Sequence, residues 1–169
     1  MQVQIQALNS RHNCKGFDCG TLPLNKWLAE MASQQAKKNL ARTFVLLDVA
    51  APETVLGFYS LAVSEVSREG LPNPNKYPNR IPVVRLGRFA TAKTLHRQGL
   101  GEFLLLNALE RVAEISLNAG IAAIVVDAKD AKAADYYRQH GFIPSPDNPL
   151  QLFLLTATLQ AAIARATMR

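Results

Sequence analysis

This 169-residue chain has two cysteines, three histidines, one tryptophan and no long apolar run. Cys14 and Cys19 form no Cys-x-x-Cys pair and have no His-rich segment beside them, so a zinc site lacks ligands and both thiols are expected reduced and structural. His12, His96 and His140 show no metal-binding spacing, and no metal is expected. No stretch reaches membrane-spanning length, and the start Met-Gln-Val-Gln-Ile-Gln has neither the basic nor the apolar region of a signal peptide. A cytoplasmic protein that leaves membranes alone is the expectation. The chain also lacks the Gly-x-x-x-x-Gly-Lys-Ser/Thr loop of triphosphate sites, and the dinucleotide pattern fails at Leu104, where a third glycine would stand. What is present, 49% hydrophobic and 19% charged residues, suits a globular fold, and the length suits one domain over residues 1–169.

Charge is the first positive signal. The formal net charge of +6 favours polyanionic partners through long-range attraction and counterion release. Lys26, Lys37, Lys38 and Arg42 bracket the first expected helix, Arg80, Arg85 and Arg88 crowd the entrance to a central strand, and Arg97 lies in a glycine-containing loop.

Periodicity supplies the elements. Val3 to Leu8 alternates like a strand, and Leu24, Trp27, Leu28, Met31 and Ala32 recur on one helical face, with Pro23 suited to the first turn. Trp27 is expected in the core. Arg42 to Asp48 and Val55 to Val63 read as a hairpin around Ala50-Ala51-Pro52-Glu53. Arg68 to Pro82, with four prolines, is expected to be a surface loop before a central strand from Val83 to Thr91. Residues 101–117 form the next helix, ended by Asn118 and Gly120. The continuous apolar run Ile121 to Val126 reads as a parallel strand covered on both faces, and Asp130 caps a helix from Ala131 to His140 that Gly141 ends. Leu150 to Thr156 is the last strand, and an alanine-rich helix follows from Leu159. The order implies an α/β mixed sheet with helices on its faces.

The run Thr94-Leu95-His96-Arg97-Gln98-Gly99-Leu100-Gly101-Glu102 joins the central strand to its helix. Backbone amides at such a junction have no intrahelical acceptors, and the helix dipole draws phosphate to the same point. A phosphate-bearing cofactor is the consequence. With both nucleotide patterns excluded, the loop resembles the pyrophosphate-binding loop of the GNAT acetyltransferase superfamily, Gln/Arg-x-x-Gly-x-Gly/Ala, with His96 at the Gln/Arg position.

That resemblance extends over nearly the whole chain. Phe17-Asp18-Cys19-Gly20, Leu24-Asn25-Lys26-Trp27-Leu28, Arg42-Thr43-Phe44-Val45, Gly57-Phe58-Tyr59-Ser60-Leu61, Leu86-Gly87-Arg88-Phe89-Ala90 and Asp135-Tyr136-Tyr137-Arg138-Gln139-His140-Gly141-Phe142 are similar to segments of the GNAT toxins of type II toxin-antitoxin systems. Two positions depart from the pattern: Phe89-Ala90-Thr91 replaces the more usual Leu-Ala-Val, and Tyr136 replaces a phenylalanine. The resemblance implies the GNAT acyl-CoA N-acyltransferase fold and transfer of acetyl from acetyl-CoA to the α-amine of aminoacyl-tRNA, which blocks translation. It also implies a ribbon-helix-helix antitoxin as partner and a homodimer. Within it, His96, Arg97, Gln98, Gly99, Leu100, Gly101 and Glu102 form the donor's pyrophosphate loop, and the backbone of Phe89, Ala90 and Thr91 lines its acyl arm. Lys37, Lys38, Arg42, Arg85 and Arg88 become contacts to tRNA.

Acetyl transfer needs backbone donors toward the carbonyl oxygen, an unprotonated amine and an acid for the departing thiolate. A tyrosine titrates near pH ~10 and stays protonated at neutrality. In GNAT proteins a tyrosine matching Tyr137 faces the sulfur, so the resemblance makes Tyr137 the acid and leaves Tyr136 to packing. Val83 to Thr91 carries no Asp or Glu to act as a base. An α-amine with a pKa of about 7.7–8.0 needs such a base far less than a lysine-like amine near 10.4. Water-mediated proton removal by Glu65 or Asp127 stays open. Two other readings also stand: a GNAT enzyme for a free small amine, and a non-catalytic binding or co-repressor module on the same fold.

Overall fold

The computed structural model describes residues 1–167. Along the chain they form β1 (Val3–Ala7), α1 (Leu22–Glu30), α2 (Ala32–Lys37), β2 (Arg42–Asp48), β3 (Gly57–Ser67), β4 (Arg80–Thr91), α3 (Leu100–Ser116), β5 (Ala123–Asp127), α4 (Ala131–Gln139), β6 (Ile143–Ser145), β7 (Asn148–Leu155) and α5 (Thr156–Thr167). The strands follow the order β1-β2-β3-β4-β5-β7-β6 in a mixed sheet. Their residues group into two compact units, one made of Met1–Ala62 with Gly87–Ala108, the other of Val63–Leu86 with the residues from Leu109 onward.

In the first unit, β1, β2 and the start of β3 pair antiparallel, with Ile5 opposite Leu46 and Thr43 opposite Ser60. Phe17, Cys19, Leu28, Ala32, Val45, Val55, Phe58 and Ala90 bury one core. Pro23 occupies the first turn of α1, where its missing N–H costs no hydrogen bond. The single helix expected through Ala32 is instead two, broken at Met31 (φ −114°). No glycine or proline marks the break. The bend keeps both Leu28 and Ala32 in the core while Ser33 and Gln34 face outward.

In the second unit, β4 and β5 run parallel, Val83 opposite Ala123 and Leu86 opposite Val126, and β7 pairs antiparallel with the far side of β5. Ala123 to Val126 are all buried, as the unbroken apolar run requires of a strand covered on both faces. Asp130 caps α4 by accepting from the Ala133 N–H at 2.8 Å. The expected loop Arg68 to Pro82 is shorter and more ordered. Two 3-10 turns, Arg68–Gly70 and Pro74–Lys76, fill it, and β4 already begins at Arg80. Pro82 therefore sits inside a strand, where its carbonyl accepts from the Ala122 N–H at 2.9 Å and needs no N–H of its own. Arg68 closes the segment, its backbone N–H on the Asn79 carbonyl and its guanidinium on the Tyr77 carbonyl. Strand β6, containing Pro144, went unread because three residues carry no period.

Candidate functional site

The end of β4 and the loop after it belong to one unit. The Ala92 N–H bonds the Leu56 carbonyl at 2.8 Å, and a Cβ on Gly57 would lie 3.0 Å from the Ala90 carbonyl oxygen and 3.3 Å from Thr91 Cγ2. A larger residue at this position would push the end of β4 back by a few tenths of an ångström, so glycine keeps β3 close beside the last residues of β4. Ala90 is buried, and Phe89 and Thr91 are half-buried.

Beyond the strand, Lys93–Leu95 makes a single 3-10 turn, and the His96 ring returns to the strand end through Nε2 at 3.0 Å from the Thr91 carbonyl. A carbonyl only accepts, so Nε2 carries the proton and donates. His96 thereby fixes the loop's start. Arg97 (φ +67°) and Gly99 (φ +78°) are both left-handed, a conformation costly for arginine. Alternation of this kind turns successive N–H groups toward one concavity that suits an anion. Helix α3 then begins, and its first i→i−4 bond runs from the Phe103 N–H to the Gly99 carbonyl at 3.1 Å. The amides of Leu100, Gly101 and Glu102 precede that bond and so have no helical acceptor. A Cβ on Gly99 would meet no atom within 4 Å, and His96, Arg97, Gln98 and Gly99 are all exposed. The cradle is open and fits a phosphate.

The basic residues expected at a polyanion separate into two kinds. Lys37 and Lys38 are exposed at the end of α2. Arg42, by contrast, donates to the Ala36 carbonyl at 2.9 Å and to Asn39 Oδ1 at 2.6 Å, closing the C-terminus of the same helix. The Arg88 guanidinium carbon lies over Trp27, 4.7 Å from the ring centroid, and the indole's plane is stacked with the Phe58 ring at 6.2 Å. The tryptophan expected in the core is thus half-buried and supports a cation. Arg85, in the second unit, is bound to the Asp127 carboxylate. Glu65 is likewise engaged, with Arg80 Nε at 3.0 Å.

Tyr137 lies on the buried face of α4 with Ala134. Its ring meets Phe142 edge-on at 5.5 Å and Tyr136 at 5.6 Å, while Tyr136 in turn lies 4.7 Å from the His140 ring. The Tyr137 carbonyl accepts from both His140 and Phe142 N–H groups, so the turn after α4 is built around this residue, with Gly141 at φ +92°. Burial first, and the neighbouring Tyr136 phenol second, push the Tyr137 hydroxyl's pKa above its ordinary value. Among the described residues no group of His, Cys, Asp and Glu could hold a metal ion, and no helix is long and apolar enough to cross a membrane.

A glycine cradle at a strand-to-helix junction, beside a mixed sheet in this order, is the arrangement that the resemblance to the acetyltransferases implies. The acetyltransferase (GNAT) family model matches residues 13–142, and the chain belongs to that family. It is 31% identical over 149 residues to the tRNA-acetylating toxin of Mycobacterium tuberculosis (strain ATCC 25618 / H37Rv), covering 87% of this chain and 88% of that protein. Among solved structures, AtaT complexed with acetyl-methionyl-tRNAfMet is 31% identical with a TM-score of 0.89, over 96% of this chain and 99% of that one. A Tyr-to-Phe variant of the toxin AtaT, bound to the C-terminus of the antitoxin AtaR and acetyl-CoA, is 30% identical with a TM-score of 0.82, again over 96% and 99%.

Two features of the site went unread in the sequence. Gly57 looked like any strand glycine, and nothing local joined Arg88 to Trp27. Each is made by residues far apart in the chain.

Proposed function

We propose that this protein is a toxin of a type II toxin-antitoxin system that acetylates the α-amine of aminoacyl-tRNA from acetyl-CoA, in the cytoplasm, and so blocks translation. The observation that carries the reading is the cradle itself: left-handed Arg97 and Gly99 open α3 beneath amides with no helical acceptor. Likeness to a tRNA-acetylating toxin and to AtaT with its acetylated tRNA supports the choice of substrate. The complex of AtaT with AtaR and acetyl-CoA supports both the donor and an antitoxin partner.

Bound acetyl-CoA supplies the acetyl group as a thioester. In this reading the amides from Arg97 to Glu102 hold its pyrophosphate, Glu102 and Gln98 contributing through backbone alone, and the backbone of Phe89, Ala90 and Thr91 aligns its arm. Strand β4 carries no Asp or Glu along its length. The two carboxylates that could relay a proton through water, Glu65 and Asp127, are each held by an arginine. An acceptor amine that is appreciably neutral by itself therefore fits best, as an α-amine is. As the amine nitrogen bonds the acetyl carbon and the C–S bond breaks, Tyr137, protonated throughout the physiological range, gives its hydroxyl proton to the departing thiolate, and the proton lost by the amine returns to the phenolate through solvent. Lys37, Lys38, Arg42, Arg85 and Arg88 meet the tRNA phosphates in this reading, Arg42 and Arg85 while each also holds a partner of its own.

Incubation with labelled acetyl-CoA and total charged tRNA tests this, with mass spectrometry of the aminoacyl adenosine released. Label on the α-amine of charged tRNA is expected. Unmodified tRNA alongside efficient acetylation of a polyamine or aminoglycoside sinks the reading in favour of a small-amine enzyme. No transfer to any amine makes the chain a binding module.

A further inference from the structure

The Phe17-Asp18-Cys19-Gly20 segment carries part of the family resemblance, yet nothing in the reaction so far uses Asp18. Its side chain is half-exposed, but every acceptor on it is engaged. Asp18 Oδ1 accepts from the Gly20 N–H at 2.9 Å and from Asn25 Nδ2 at 3.0 Å, Oδ2 pairs with Lys93 Nζ at 2.9 Å, and the Asp18 carbonyl accepts the Lys93 N–H at 2.9 Å. Asn25, on α1, completes the ring by accepting the Cys19 N–H at 2.9 Å. The segment cannot drift, because Phe17 and Cys19 on either side are buried, Phe17 edge-on to Phe58 at 5.5 Å. Gly20, left-handed at φ +87°, packs toward Lys93, where a Cβ would stand 3.8 Å from the Lys93 Cβ.

Lys93 is three residues before His96. Its backbone is held by Asp18 on one side, and the strand end just before it by Leu56 through Ala92. Such a double link, backbone and side chain to one residue, fixes both the position and the direction of the turn that launches the cradle.

We infer that Asp18 is a positioning residue for the acyl-donor loop: through Lys93 it sets the footing of His96 to Gly101 and thereby the affinity for acetyl-CoA. The inference rests on the loop's assignment to acetyl-CoA. The Lys93 ammonium, the Gly20 N–H and the Asn25 amide hold the Asp18 carboxyl at about 2. A carboxylate depressed in the folded state keeps its contribution above the ordinary value of 3.8 and loses it only as pH falls through about 2.

The test uses the full chain and variants Asp18→Asn, Asp18→Ala, Lys93→Met and the double variant Asp18→Ala with Lys93→Met. Acetyl-CoA affinity is read by calorimetry, the melting midpoint without ligand alongside it, and the KM for donor and acceptor separately. Asp18→Ala and Lys93→Met are each expected to weaken donor binding about tenfold, and the double variant no more than either alone, because both cut one link. Asp18→Asn, which keeps an acceptor for Gly20 and Asn25 and should preserve the fold, is expected to raise the donor KM while leaving the acceptor KM and kcat near the parent's. Parent-like affinity in all four variants overturns the inference, as do losses that multiply in the double variant. Tighter binding in Asp18→Ala, from a Lys93 released toward the phosphates, overturns it too. A parent protein that binds no acetyl-CoA overturns the loop assignment itself.

Discussion

Tyr137 shows how burial sets the chemistry of one side chain. Its phenol is held protonated beyond its ordinary pKa of 10.0 by the loss of solvent around it. An acid with a raised pKa keeps its proton further into the alkaline range, so turnover should show no falling limb from this group below pH 10. Tyr137→Phe should leave acetyl-CoA affinity near the parent's and lower kcat by roughly 10²–10⁴-fold. Normal turnover in that variant, with loss in Tyr136→Phe, would move the role to the neighbour. His12 is the opposite case. It is buried, its Nδ1 accepts the Asn9 N–H at 3.0 Å, and burial lowers its pKa from 6.5. The unfolded chain then binds the proton more readily, so stability is whole above about 6.5 and drains as pH falls through the lowered folded value. A urea midpoint that drops between pH 7.5 and 5, and drops less in His12→Gln, is the expected result.

Among the elements, the cradle at the start of α3 has the clearest structural demand. Gly99 combines a left-handed backbone with open space above it, so a side chain there costs conformation first and collides with nothing in the protein. Gly99→Leu should destabilise the chain by about 1–2 kcal/mol, the left-handed penalty, and, on the proposed donor assignment, weaken acetyl-CoA by far more, since a leucine obstructs approach to the loop backbone. Gly99→Asn, whose residue tolerates this backbone, should recover most of the melting midpoint while recovering little affinity. Equal affinity in Gly99→Leu and the parent, by calorimetry, would remove the cradle from the donor site. The pair of glycines was legible because the helix that follows is strongly periodic; the left-handed Arg97 was not, because no residue type announces it. The break at Met31 was hidden for the same reason.

At the scale of the whole molecule the excess of positive charge has to be divided between fold and partner. Formal charge of +6 counts every arginine alike, yet Arg42 closes α2, Arg80 and Arg85 hold carboxylates, and Arg68 staples a loop. Lys37 and Lys38 are exposed at the end of α2. Replacing both with alanine should raise the KM for charged tRNA, flatten its salt dependence by about one unit of slope for each phosphate no longer neutralised, and spare acetyl-CoA binding. Growth arrest on expression should ease in parallel. An unchanged salt slope would show that the tRNA passes elsewhere on the surface.

Local patterning by itself determined much of this protein: the buried run that becomes β5, the Asp130 cap and Gly141 stop of α4, the proline start of α1, and the glycine junction between β4 and α3. These depend on residues within a few positions of one another, where periodicity, capping and backbone preference act directly. Tertiary structure decided what sequence neighbours cannot. It chose which arginines are paired, brought Gly57 against the Ala90 carbonyl, set Arg88 on Trp27, and tied Asp18 to Lys93. Each of those joins distant segments, and its geometry exists only once the strands have paired and the core has closed.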